Sequence, residues 1–414
     1  MPDPKFWHIQ LNPDVSLGRK KVVEILEKTS LIGLNFEKGD STYQNFKDRM
    51  QIGDIVLVRD GIQPIALVEV TGKWEQKNNP DEDLDWFSQR RKIRVLEFAA
   101  QDRPRFPKAM GTLEPLVGNT SSRQYVEEWY KSLQGDHMIE NATALLKANL
   151  QLILTGAPGT GKTHLAREVA ANIIGCKSDV LDKSHQFRFV QFHPSFDYSD
   201  FVEGLKPRIV NGQVDLELKD GIFKEFCLKA GQSPATQFVF IIDEINRADL
   251  SRVFGELFFA IEPGYRGKSL STQYSYITKA DFNVPKNVFI IGTMNDIDRS
   301  VESIDFALRR RFAWLEIEAT DELFNRIVNN LGAQHSQART RYAKINNAIR
   351  DIPTLGKPYQ IGPAYFRKLE NYLDQPNPFE ALWNNHLLVL IREYVRGFPD
   401  AADVENTLKS AYFS

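Results

Sequence analysis

Two patterns of hydrophobic and polar positions divide the chain. Over residues 1–100, short apolar runs alternate with turn residues, and "FWHIQL", "DIVLVRD" and "IALVEVTGKW" read as strands. Between the first two, "GRKKVVEILEKTSLIG" has the period of an amphipathic helix. Val22, Ile25, Leu26 and Thr29 share one face, and Gly33 is placed to stop it. A small β-barrel with one or two helices is expected here, followed by a Pro- and Gly-containing linker over 104–118 and a short helix around "RQYVEEWYKSL". From about residue 137 to 320 the pattern changes to buried β-runs alternating with helices, which predicts a parallel sheet with crossover helices. Residues 321–414 are mostly helical in period. The fold class is therefore α/β, with domains expected at 1–108, 137–320 and 321–414 and a connecting segment at 109–136.

Composition adds limits. The 414 residues are 42% hydrophobic and 11% aromatic, which suits globular domains throughout. The formal net charge is −2, from 52 basic and 54 acidic side chains, so any nucleic-acid contact must come from a local basic face. Two cysteines exclude a disulfide framework. The opening "MPDPKFWHIQ" has no signal-peptide pattern, and no apolar run reaches the roughly 18 residues of a membrane span, so a cytoplasmic protein is expected. The seven histidines form no metal-binding spacing.

Three stretches carry chemistry. "LQLILTGAPGTGKTHLAREVA" (150–170) holds the phosphate-loop spacing Gly156, Gly161, Lys162, Thr163 between an apolar strand and a helix in which Leu165, Val169 and Ile173 recur. Its candidate nucleotide contacts are Gly156, Ala157, Pro158, Gly159, Thr160, Gly161, Lys162, Thr163 and His164, with backbone N–H groups and a helix N-terminus facing the phosphates. In "QFVFIIDEINRADLSRVFGELFFAIE" (237–262), adjacent carboxylates end a buried strand. Asp243 joins Thr163 as a Mg²⁺ ligand, and Glu244 is the base that polarises water. In "VFIIGTMNDIDRSVES" (288–303), Asn295 lies just beyond a third strand, where an amide can contact both phosphate and water. Asp298 and Arg299 are assigned support roles. Arg309, Arg310 and Arg311 follow in "FALRRRFAWLEI", and Arg309 or Arg310 is the candidate finger for a neighbouring subunit's phosphate.

Together "GAPGTGKT", "DEINR", Asn295 and "LRRRF" resemble the AAA+ ring-forming NTPases. "VQFHPSFDYSDFVEGLKP" (190–207) and "MNDIDRS" (294–300) are similar to motifs of McrB-type motor subunits of modification-dependent restriction systems. In that family the second string reads M-N-T-A-D-R-S, so Asp296 and Ile297 depart from it. "KPYQIGPAYFRKL" (357–369) stands at the place of the family's I-G-x-x-Y-F lid segment. The resemblance implies a hexameric ring, a preference for GTP over ATP, Mg²⁺, and a separate McrC-type nuclease partner. The N-terminal region resembles EVE/PUA-like barrels, which implies a reader of a modified base in double-stranded DNA. Trp7, Trp74, Trp86 and Phe87 are its candidate aromatics, and Arg90, Arg91, Lys92 and Arg94 its basic flank. The acids and lysine of "DLELK" (215–219) read as part of a hairpin insertion, not as a nuclease site. Two other readings stay open: an AAA+ ATPase that remodels a protein, and a nucleotide-gated nucleic-acid reader with little turnover.

Overall fold

The computed structural model describes residues 4–11, 18–35, 41–77, 87–100, 103–107, 111–118, 120–210, 213–297, 309–328 and 330–414. They form two compact units, residues 1–136 and 137–414.

The first unit is built on seven strands: β1 (Phe6–Gln10), β2 (Leu31–Leu34), β3 (Ile55–Asp60), β4 (Gln63–Val70), β5 (Glu75–Gln76), β6 (Gln89–Phe98) and β7 (Leu113–Pro115). The pairing runs β2-β6-β4-β3-β1-β7, with β5 on β6. Among the described residues, only β1 and β3 pair in parallel; the other pairs are antiparallel. Register shifts at Val58/Arg59 and Leu67/Val68 are the irregularities that bend such a sheet. The helix Gly18–Thr29 buries Val22, Ile25 and Leu26, as its period predicts. It does not run to Gly33. Thr29 Oγ1 donates to Ile25 O (2.7 Å) and accepts from Leu31 N (3.2 Å), and Ser30 takes φ +51°. Gly33 lies instead in β2, where any Cβ would overlap the ring of Phe87.

This packing corrects most of the expected reader. Trp7 is 1% exposed, and its indole N–H donates to Asp54 Oδ2 at 2.8 Å. Asp54 also accepts from Lys5 N and Gln51 N, so the tryptophan belongs to a satisfied core network. Phe87 is fully buried. Arg90 is buried against Phe87 and donates to its carbonyl at 3.0 Å. Arg91 is buried with its guanidinium on the carbonyls of Phe46 (2.8 Å), Lys47 (2.9 Å), Met50 (2.8 Å) and Gly72 (3.2 Å). From Arg91 onward the strand alternates, with Arg91 and Ile93 buried and Lys92 and Arg94 exposed, whereas Arg90 is buried through its contact with Phe87. Arg94 pairs with Glu69 at 2.5 Å. Trp86 lies outside the described residues. Trp74 keeps a partly exposed ring, with its N–H on Gln89 Oε1 (3.0 Å) and Lys47 Nζ 4.7 Å from its centroid.

In the second unit, β8 (Gln151–Thr155), β9 (Phe187–Gln191), β12 (Phe238–Asp243), β13 (Val288–Thr293) and β14 (Ala313–Glu316) form a wholly parallel sheet ordered β14-β8-β13-β12-β9. The strand pairs β8–β13 and β12–β13 carry Ile and Val buried on both faces, as a sheet covered by helices requires. The short helix expected near residue 125 is a helix of 29 residues, Ser121–Asn149. Val126 and Trp129 pack in the first unit's core, whereas Ala142 and Leu146 pack beside β8 in the second. A two-stranded hairpin, β10 (Glu203–Val210) and β11 (Gln213–Asp220), inserts before the helix Ile222–Gly231 and contains the "DLELK" run. Beyond β14, six α-helices between Asp321 and Phe413 enclose a separate apolar core around Tyr342, Trp383 and Tyr412, forming a helical lid.

The burial of Arg91 gives a direct expectation. Arg91→Ala removes donors from four main-chain carbonyls and destabilises the first unit by about 3 kcal/mol. Denaturant unfolding of the full chain checks this; an unchanged midpoint contradicts it.

Candidate nucleotide site

The carboxyl ends of β8, β12 and β13 converge on one place, as they must in a parallel sheet. The phosphate loop leaves β8 and turns through Gly156 (φ +142°), Gly159 (φ +78°) and Gly161 (φ +83°), conformations that L side chains resist. It ends in the helix Lys162–Ile174. Lys162 is buried, and its ammonium donates to the carbonyls of Gly156 and Ala157, 2.9 Å each. Burial pushes its pKa down to about 8, against the opposing pull of Asp296, Glu244 and Asp243. His164 points off the loop: its ring is 70% exposed and 3.9 Å from Glu168, one turn along the helix.

Asp243 ends β12 with Glu244 directly after it, and four side chains contact the two acids. Thr163 Oγ1 and Thr293 Oγ1 both donate to Asp243 Oδ1, at 2.8 and 2.6 Å. Thr293 Oγ1 also accepts from Glu244 N (3.3 Å). Asn295 Nδ2 donates to Glu244 Oε1 at 2.8 Å, and Arg247 lies 3.4 Å from Oε2. Glu244 itself sits at φ +50°, a strained setting for a non-glycine residue that swings its carboxylate out of the strand. Asp298 and Arg299 lie outside the described residues.

Asp296, the departure from the family string, accepts from Thr155 Oγ1 at the end of β8 and heads the pulls on Lys162. Of the three consecutive arginines, Arg311 is held within the subunit by Glu262 at 2.7 Å, with its carbonyl accepting from Gln151 Nε2. Arg309 and Arg310 are exposed. Thr293, Arg247, Asp296 and Glu262 are the site residues that motif reading passes over. The contacts of Thr293, Asp296 and Glu262 join positions far apart in the chain, although the "GT" directly before Met294 marks the strand end, and Arg247 stands three residues from Glu244.

A phosphate loop after β8, adjacent acids at the end of β12 and an amide just beyond the end of the neighbouring β13 define a nucleoside-triphosphate site of the AAA+ kind. Residues 151–312 match the AAA domain of the dynein-related subfamily, and residues 337–403 match the McrB alpha-helical lid domain. The second unit is thus an AAA+ module with a McrB-type lid. The chain is 40% identical over 236 residues to the type IV methyl-directed restriction enzyme EcoKMcrB subunit of Escherichia coli (strain K12), covering 55% of this chain and 50% of that protein. It is 29% identical over 204 residues to the type II restriction enzyme BsuMI component YdiS of Bacillus subtilis (strain 168), covering 40% of this chain and 57% of that protein. The chain spans about half the length of these curated relatives. Among solved structures, a putative ATPase from Cytophaga hutchinsonii is 14% identical with a TM-score of 0.28, over 70% of this chain and 96% of that one. Among the described residues, no helix is long and apolar enough to cross a membrane.

The Lys162 environment sets a pH dependence. Phosphate binding favours the ammonium form, so binding takes up a proton once the free lysine has lost it. Nucleotide affinity should be level below about pH 7 and weaken as pH rises through about 8, by up to about tenfold per unit. Asp296→Asn removes a charge that holds this pKa up, and so moves the fall to lower pH. Calorimetric titrations across pH check both; a flat profile to pH 9 contradicts them.

Proposed function

We propose that this chain is the nucleotide-hydrolysing motor subunit of a modification-dependent restriction system. In this reading it prefers GTP, assembles as a ring, most simply a hexamer, and drives a separate McrC-type nuclease on modified double-stranded DNA. The observation that carries the reading is one module that joins a complete phosphate-loop site to a McrB-type lid. The names of the two restriction-enzyme relatives support the biological setting.

The geometry supports the following hydrolytic roles. The loop N–H groups and Lys162 bind the β- and γ-phosphates. Thr163 Oγ1 and Asp243 Oδ1, 2.8 Å apart, are hard oxygen donors that suit Mg²⁺ and leave its other positions to phosphate oxygens and water. Such an ion would neutralise charge on the phosphates. Glu244 polarises the water that attacks the γ-phosphorus, and Asn295 holds the carboxylate in place through Oε1. The bond from the γ-phosphorus to the bridging oxygen breaks, releasing the diphosphate and inorganic phosphate. Arg309 or Arg310 supplies the finger to the next subunit, since Arg311 is committed to Glu262.

The first unit is the proposed DNA reader, of EVE/PUA-like type. With Trp7, Phe87, Arg90 and Arg91 in the core, Trp74 is the one of its four candidate aromatics that is both described and partly exposed, and Lys47, Lys92 and Arg94 are cations that the unit also offers.

Turnover of GTP against ATP, with and without a McrC-type partner, tests the motor. GTP hydrolysis that is faster and partner-stimulated is expected; ATP preference without stimulation supports a protein-remodelling ATPase instead. Glu244→Gln should keep nucleotide binding and lose about two orders of magnitude in turnover. Undiminished turnover in this variant removes Glu244 from the role of base.

Subunit mixing tests the finger. A Lys162→Ala chain and an Arg309→Ala/Arg310→Ala chain, each inactive alone, should regain part of the turnover when combined. Intact sites form where a good loop meets a good finger. No recovery in co-assembled rings rules out a finger in trans.

A further inference from the structure

A phosphate loop presents its N–H groups to the ligand, so its carbonyls must find donors on the other side. Here the donors can be named. The carbonyls of Gly156 and Ala157 accept from Lys162 Nζ, and that of Ala157 also accepts from Thr160 Oγ1 at 2.9 Å. The Gly161 carbonyl accepts from Leu165 N at 2.9 Å. The two at the tip of the loop are satisfied by the lid. Pro158 O accepts from Gly362 N at 2.9 Å, and Gly159 O accepts from Ala364 N at 3.0 Å.

This contact is backbone on backbone. A Cβ on Gly362 would overlap Gly159 and Thr160, and one on Gly159 would come within 2.8 Å of the Tyr365 ring. The lid segment that leads into Gly362 is held in turn by a buried amide. Asn346, on the lid helix His335–Asp351, accepts from Ile361 N through Oδ1 (2.7 Å) and donates to Ile361 O through Nδ2 (3.0 Å). It treats Ile361 as a neighbouring β-strand would. Asn346 is 3% exposed among Tyr342, Ile345 and Ile349, where an apolar side chain would suit burial better. Its polarity makes sense through the segment that it sets one residue before Gly362.

We propose that Asn346 is a positioning residue for nucleotide binding, presenting the backbone of Gly362–Ala364 as the outer half of the phosphate cradle. The inference rests on reading 156–163 as the nucleotide site. With its carbonyl side closed by the lid, the loop keeps its N–H side arranged for phosphate. If losing that support leaves about one loop in ten receptive, affinity falls about tenfold. GTP and ATP suffer alike, because the phosphates are the part affected. The same N–H groups serve substrate and transition state, so the loss falls on KM more than on kcat.

The test uses the full chain with fluorescent GTP and ATP analogues, steady-state turnover, and melting with and without nucleotide. Asn346→Ala and Gly362→Ala should each bind both analogues about tenfold more weakly. The loss should lie in KM, and the nucleotide-induced rise in Tm should shrink. Leu408→Ala, in the lid core and fully buried, is the control: it should lower the Tm of the free protein and keep both affinity and the nucleotide-induced rise. If Asn346→Ala does not fold, Gly362→Ala carries the test from the other side of the contact. Wild-type affinity in either folded variant overturns the proposal, and so does an equal loss in Leu408→Ala. A wild-type chain that binds neither analogue refutes the nucleotide-site reading itself, and the proposal with it.

Discussion

A loop that binds phosphate through its main chain has to leave several N–H groups unpaired while every neighbouring carbonyl is paired elsewhere. That sorting governs the second unit. It requires the left-handed turns at Gly156, Gly159 and Gly161, which no L side chain would hold cheaply. It requires β8 to be an inner strand, so that the loop emerges between β13 and β14 with neighbours on both sides. It also requires donors behind the loop, which come from Lys162 on one flank and from the lid on the other. The helical lid is then more than a cover, since its backbone completes the hydrogen bonding of the loop that it adjoins.

The carboxylates proposed for catalysis depend on the same sheet. Parallel pairing sets Ile242 of β12 beside Gly292 of β13, so Asp243 and Glu244 leave one strand as Thr293 and Asn295 leave the next. Thr293 can therefore bond Asp243 and the Glu244 N–H together, and Asn295 can reach Glu244 Oε1. Thr163 ties this pair back to the phosphate loop through Asp243 Oδ1. Thr163, Asp243, Thr293, Glu244 and Asn295 form one hydrogen-bonded chain from the loop to the carboxylate proposed as the base.

The parts of this arrangement that were legible in the sequence are local ones. Phosphate-loop spacing, the Asp243–Glu244 pair after an apolar run and the change from short strands to alternating β and α all depend on neighbours along the chain. They reappear as the parallel sheet, the helical lid and the preceding β-rich unit. What could not be read depends on partners distant in sequence. Nothing in "RRR" shows that Glu262 will take Arg311 and leave Arg309 and Arg310 exposed. Trp7 and Arg91 carry polar groups that made a surface role attractive. Asp54 and four carbonyls satisfy those groups inside the core instead. Gly33 looked like a helix stop, but its small size serves the Phe87 ring packed against it. The lid segment at Gly362 was placed by resemblance, and its contact with the loop became visible only in three dimensions.

Hydrogen exchange of the main chain tests the central claim most directly, because it reads the backbone groups on which the account rests. In the full chain with GTP and Mg²⁺, the amides of 156–163 should become protected by the phosphates. Those of Gly362 and Ala364 should gain protection with them, as the loop and lid segment settle together. Protection of the loop with no change at 362–364 would contradict the shared cradle. No nucleotide-dependent protection in either segment would contradict the site itself.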